Sequence, residues 1–102
     1  METTIHIGGR KHIEPSSVIF MVADINYTKL FLKDGKSLYV ATPLKRLQER
    51  FQAAGDFFRP NRGIVVNMDY VADLTEVSIT LENNKTFKIS RRRQPAFLSR
   101  VK

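Results

Sequence analysis

Asp34-Gly35 lies between two strand-like segments, Thr28 to Lys33 and Lys36 to Ala41, and this arrangement constrains the fold more than any other feature of the chain. Both turn positions tolerate positive φ, so the dipeptide closes an antiparallel hairpin. A second hairpin follows the same logic. Val77, Ile79 and Leu81 alternate with polar neighbours, Phe87 and Ile89 do so again, and Asn83-Asn84 stands between them. Asparagine also accepts positive φ. Upstream, Thr4-Ile5-His6-Ile7 alternates until Gly8-Gly9 breaks it. Val18 to Ala23 is an apolar run of strand length, suited to burial on both faces, and Ile64-Val65-Val66 reads as buried strand too. Antiparallel pairing is predicted for most of the chain.

One segment has the other period. Thr42 is suited to cap a helix, Pro43 to its first position, and Leu44, Leu47 and Phe51 recur at i, i+3 and i+7. Gly55 offers a left-handed stop. An amphipathic helix is expected over about 43–54, with Lys45, Arg46, Gln48, Glu49 and Arg50 mostly off its apolar stripe. Pro95-Ala96-Phe97-Leu98 is predicted to begin a short closing helix. A chain of 102 residues without repeat or linker makes one domain, 1–102, around a single modest core. The economical fold is mainly β and antiparallel, with one principal helix.

Charge narrows the function. Seventeen Lys and Arg against ten Asp and Glu give a formal net charge of +7, which in so small a domain favours a polyanionic partner. The absence of cysteine excludes disulfides and thiolate metal sites. Carboxylates are scattered and no glycine-rich loop leads into a helix, so neither a metal nor a cofactor is expected. His6 and His12 have no acidic or nucleophilic partner at catalytic spacing, and His6, between Ile5 and Ile7, points to the solvent face of its strand. The chain does not read as an enzyme. No apolar run approaches the ~20 residues that span a bilayer, and the N-terminus lacks a signal-peptide layout. A soluble cytoplasmic protein is the expectation.

The basic groups are concentrated. Arg59-Pro60-Asn61-Arg62 is a turn-prone loop held between Phe57-Phe58 and Ile64-Val65-Val66, so core on both sides fixes a segment offering two guanidinium groups and an amide. Arg and Asn are the side chains that meet guanine and adenine edges bidentately. Arg91-Arg92-Arg93 forms a second cluster beyond a strand, with the planar group suited to phosphate and guanine. Asn26-Tyr27-Thr28-Lys29 adds a polar loop with hydrogen-bonding and stacking capacity. Each alone is an ordinary solvated segment. Three on one small β scaffold point to nucleic acid.

The order of these segments resembles the LytTR family of bacterial DNA-binding domains. Val18 to Thr28 matches its apolar strand and Asn-Tyr-Thr loop, Asp34-Gly35 its hairpin, and Leu44-Lys45-Arg46-Leu47 its short helix. Arg59 to Asn67 is similar to its Arg, His-Arg-Ser-type turn and Val-Asn strand end, with Asn61 in the place of His and Gly63 in the place of Ser. Tyr70-Val71 stands for a Tyr-Ile pair, and Ile89-Ser90-Arg91-Arg92 for the closing Val-Ser-Arg-Arg. The resemblance implies an elongated stack of small antiparallel sheets whose loops enter successive major-groove faces of bent DNA.

With that resemblance, the expected base contacts are Asn26, Tyr27, Asn61, Arg62 and Arg92, and the expected backbone contacts Thr28, Lys29, Lys45, Arg59, Arg91 and Arg93. Asn67 and Ser90 are expected to be structural, Asn67 by satisfying a turn. The partner implied is double-stranded DNA in paired half-sites, bound by a chain that is monomeric in solution because no heptad seam is present. Two other readings stay open. One is a single-strand or RNA-binding β module with Tyr27, Tyr39 and Tyr70 as stacking platforms; the other is a protein-interaction domain for an acidic partner. Most family members carry a receiver domain that these 102 residues do not include. Met1 and an immediate first strand favour a one-domain regulator, and any separate signalling partner is left unidentified.

Overall fold

The computed structural model describes residues 4–101. Strands β1 (Ile5–Gly8) and β2 (Lys11–Ile13) form a small hairpin. Strands β3 (Val18–Asp24), β4 (Tyr27–Leu32), β5 (Ser37–Val40), β6 (Phe57–Asn61) and β7 (Ile64–Asn67) form a sheet in the order β5-β4-β3-β7-β6. Strands β8 (Val71–Leu74), β9 (Ser78–Leu81) and β10 (Thr86–Lys88) form a third sheet, with β9 central. Every pairing is antiparallel. Helix α1 (Leu44–Gln52) connects β5 to β6, and α2 (Gln94–Val101) closes the described chain. The stack measures 38 × 30 × 24 Å.

The expected single core is two clusters, one on each face of the five-stranded sheet. On one face Val18, Met21, Leu30 and Val65 pack beneath Leu44, Leu47 and Phe51 of α1. On the other, Phe20 and Val66 meet Ile79 and Leu81 of the third sheet, together with Ile89 and Phe97. The cause is the strand period of two: adjacent apolar residues on a central strand must point to opposite faces. Phe20 and Met21 divide in this way, and so do Val65 and Val66. The same rule sends Phe57 and Phe58 to opposite faces, so both anchor the neighbouring basic segment. Phe57 packs edge-on against Phe51, with centroids 5.1 Å apart, while Phe58 packs against Phe97 at 5.0 Å. Burying a phenylalanine contributes roughly 1.5–3 kcal/mol, so β6 is held from both sides.

Local chemistry departs from expectation at the helix ends. Thr42 does not cap α1; its hydroxyl donates to the Ile7 carbonyl at 2.7 Å, tying the first hairpin to the helix start. Pro43 occupies the cap position with no side-chain hydrogen bond. Gly55 is not left-handed, because its amide continues the helical pattern to Phe51 O at 2.9 Å. Its small size matters instead: a Cβ there would stand 3.2 Å from the Phe57 ring. Val77 is exposed in the turn before β9 rather than buried within the strand.

Both anticipated hairpins form, each with a three-residue loop. In Lys33-Asp34-Gly35 the glycine takes φ +88°, and in Glu82-Asn83-Asn84 the last asparagine takes φ +70°. Each loop is closed by paired backbone bonds, Gly35 N to Leu32 O with Leu32 N to Lys36 O, and Asn84 N to Leu81 O with Leu81 N to Lys85 O. This is a turn followed by one left-handed residue, the usual three-residue solution.

Candidate nucleic-acid interface

At one end of the five-stranded sheet two hairpin tips lie side by side. The β3–β4 tip is the dipeptide Ile25-Asn26, since Asp24 pairs with Tyr27. The β6–β7 tip is Arg62-Gly63, since Asn61 pairs with Ile64. Ala23 N donates to Gly63 O at 2.9 Å and locks the tips together. The start of α1 approaches from the third side. These elements enclose an open cleft of about 590 Å³, whose polar wall is Asn26, Tyr27, Lys45, Arg59 and Arg62. Among the described residues no carboxylate lines it. The helix start adds the positive end of the α1 dipole to this wall.

The four-residue basic loop proves to be mostly strand. Arg59 and Pro60 belong to β6, an edge strand, where the register shifts between Phe58 and Asn61. Pro60 is buried in that bulge, a place where a residue without an N–H breaks no ladder. Its carbonyl accepts from Ser90 N at 2.8 Å, which brings the C-terminal basic segment against β6. Arg59 braces the tip: its Nε and Nη2 donate to Arg62 O at 3.2 and 2.5 Å, and Nη1 donates to Gln48 Oε1 at 3.0 Å. Burial, then the charges of Arg93 and Arg62, lower the Arg59 pKa from its ordinary value. A guanidinium stays protonated regardless, so the shift reports crowding of positive charge.

Several side chains expected at the DNA already have partners within the protein. Thr28 is fully buried and its hydroxyl donates to Thr42 O at 2.8 Å, so it is not offered to phosphate. Asn61 is hydrogen-bonded to the scaffold at both ends of its amide. Its Oδ1 accepts from Gly63 N at 3.1 Å and its Nδ2 donates to Lys88 O at 3.0 Å, joining the tip to β10. Lys29 lies outside the cleft, its Nζ 4.8 Å from the Phe31 ring centroid and 5.4 Å from that of Tyr39.

Arg91, Arg92 and Arg93 form a 3₁₀ turn that runs directly into α2, instead of a loop. Arg93 faces a second, smaller cleft shared with Arg59 and Gln48. Arg91 and Arg92 are exposed outside both clefts. Among the described residues, the side chains of Arg62, Arg91, Arg92 and Arg93 make no ion pair or hydrogen bond. The ion pair that is present joins Arg100 to Asp56.

The structural expectations for two residues meet different ends. Asn67 satisfies a turn as expected, accepting from Asp69 N at 3.0 Å and donating to Val18 O at 2.9 Å. Ser90 holds Pro60 through its backbone, while its hydroxyl is buried without a partner among the described residues. Of the three tyrosines, Tyr70 is committed to Ser16 O at 2.6 Å, whereas Tyr27 and Tyr39 are about half exposed. The sequence does not single out Gln48 or Ile25. Gln48 could be found as a neutral amide beside the helix stripe within reach of a basic strand; Ile25 is hidden by its separation from the apolar run at Asp24.

Among the described residues no helix is long and apolar enough to cross a membrane, and no three His, Asp or Glu side chains gather as metal ligands would. A family model for the LytTr DNA-binding domain matches residues 8–102. A solved structure, the LytTr DNA-binding domain assigned to a methyl-accepting/DNA response regulator from Bacillus cereus, aligns with a TM-score of 0.74. It covers 96% of this chain and 94% of that one at 15% sequence identity, a likeness of fold. A sequence search of curated proteins found no match.

Proposed function

The chain belongs to the LytTR family of DNA-binding domains, and from that premise we propose that it is a sequence-specific, double-stranded-DNA-binding regulator of transcription that reads the major groove through its hairpin tips. The observation that carries this reading is the meeting of Asn26, Tyr27, Lys45, Arg59 and Arg62, from three separate segments, around one cleft that no carboxylate of the described residues lines. A groove of that sign focuses potential on a polyanion.

The roles divide by what each side chain has left to give. Arg62 stands at a rigid tip with its guanidinium unengaged, the state suited to a bidentate contact with guanine. Arg92 is exposed and equally unengaged. Lys45, Arg91 and Arg93 supply phosphate neutralisation, which gives affinity without sequence information. Arg59 acts indirectly, by holding the Arg62 carbonyl so that the reading group meets DNA with little entropy left to lose. The chain acts as a monomer that meets a second copy on an adjacent half-site.

Selection of bound sequences from a random duplex pool tests the proposal. Enrichment of paired short motifs about one helical turn apart is expected. If Lys45, Arg91 and Arg93 each neutralise one phosphate, log K for the selected duplex should fall with log salt at a slope of about −3. Equal affinity for selected and unrelated duplex, or a preference for single strands, would overturn it.

A further inference from the structure

The positive-φ positions of this chain are held by Gly8, Gly9, Gly35 and Asn84, with one exception among the described residues: Ile25, at φ +54°. A β-branched residue is poorly suited to that conformation, because its Cβ crowds the following carbonyl. Packing does not compensate, since Ile25 is 95% exposed. It is the first residue of a two-residue hairpin loop, where glycine, asparagine and aspartate prevail. Asn26, which accepts that backbone readily, is the very next residue, yet the strained position carries the isoleucine.

Strain kept without a folding return points to a ligand. The surroundings say which. Ile25 lines the same cleft as Asn26, Lys45 and Arg62. The apolar residues lining the cleft, Ala23, Ile25, Pro43 and Leu44, make too small a patch to seat a protein partner. On a duplex it has one natural counterpart: the C5-methyl of thymine, the apolar group that the major groove displays. Resting on the duplex-reading function proposed above, we infer that Ile25 is a specificity-determining residue that packs against a thymine methyl, beside the base edge contacted by the neighbouring tip.

The test uses a duplex enriched from a random pool by the wild-type chain, with each thymine replaced in turn by deoxyuridine. That replacement removes the methyl alone. At one position the wild-type chain should lose about fourfold in affinity, the burial of one methyl group. Ile25→Asn and Ile25→Gly should bind the thymine duplex about tenfold more weakly and bind both forms equally at that position. Both variants should also melt higher, by roughly 5 °C, because Asn and Gly accept the left-handed backbone. A scan with no sensitive position, or variants that keep the wild-type sensitivity, would overturn the assignment of Ile25 while leaving duplex reading in place. Variants that melt lower would show that the isoleucine serves the fold, and would overturn it too. A wild-type chain that enriches no duplex would remove the underlying function instead.

Discussion

Strand β4 begins at one kind of turn and ends at another. At its end, Lys33-Asp34-Gly35 follows turn chemistry closely: Gly35 takes the left-handed position, and the Asp34 carboxylate accepts the Lys36 amide at 2.9 Å. Glu82-Asn83-Asn84 repeats the device, with Asn83 accepting from Lys85 N at 3.1 Å. At its start, Ile25 occupies a left-handed position against its steric preference, and the adjoining tip projects the unengaged Arg62. The first kind of turn is optimised for closing a chain. The second departs from local preference where the cleft lies. Local and global demands agree in most of a foldable sequence, and their conflicts gather where something must be bound. The β6–β7 tip shows how the scaffold tolerates this: Arg59, Asn61 and the Ala23–Gly63 bond hold it from three directions.

The comparison breaks most visibly if the readers are mistaken. Arg62→Ala and Arg92→Ala should each flatten preference at a separate base position by ~1–3 kcal/mol, with melting temperature unchanged because neither guanidinium supports the fold. Selection profiles of the two variants check this, and wild-type profiles from both would mean that the tips do not read. A smaller effect separates reader from brace within one tip. Asn61→Ala removes one internal hydrogen bond at each end of the amide and should lower stability by about 1–2 kcal/mol in denaturant unfolding. Its binding loss should spread over all bases rather than fall on one. The smallest effect lies at the other end of the sheet. Gly35→Ala has open space around its Cβ, so only the backbone at φ +88° opposes it. It should destabilise by about 1 kcal/mol, seen as a thermal shift, and leave duplex affinity as it was. The contrast with Ile25, where replacement by glycine should stabilise, is what the two kinds of turn predict.

Much of the architecture was legible in the residues alone. Strand alternation, turn residues at positive φ and the Leu44–Leu47–Phe51 stripe are local signals, set by backbone sterics and by the periods at which side chains repeat. Basic character at the two tips and the final turn was legible as well, since charge is a property of composition. What each polar side chain does was decided by tertiary structure. Thr28, Asn61 and Arg59 look like contact residues in sequence, yet they are spent on partners 14, 27 and 11 positions away: the Thr42 carbonyl, the Lys88 carbonyl and Gln48. Arg62 is of the same type as Arg59, three residues on, and is left unengaged. The division into two cores likewise needed the sheet order, because a central strand has two faces only when neighbours flank it. Sequence by itself determined which elements form and where positive charge collects, because those depend on contacts within a few residues. Only the fold decided which of those charges remain for a ligand, because a hydrogen-bonding group is consumed by whatever partner the packed chain brings within about 3 Å of it.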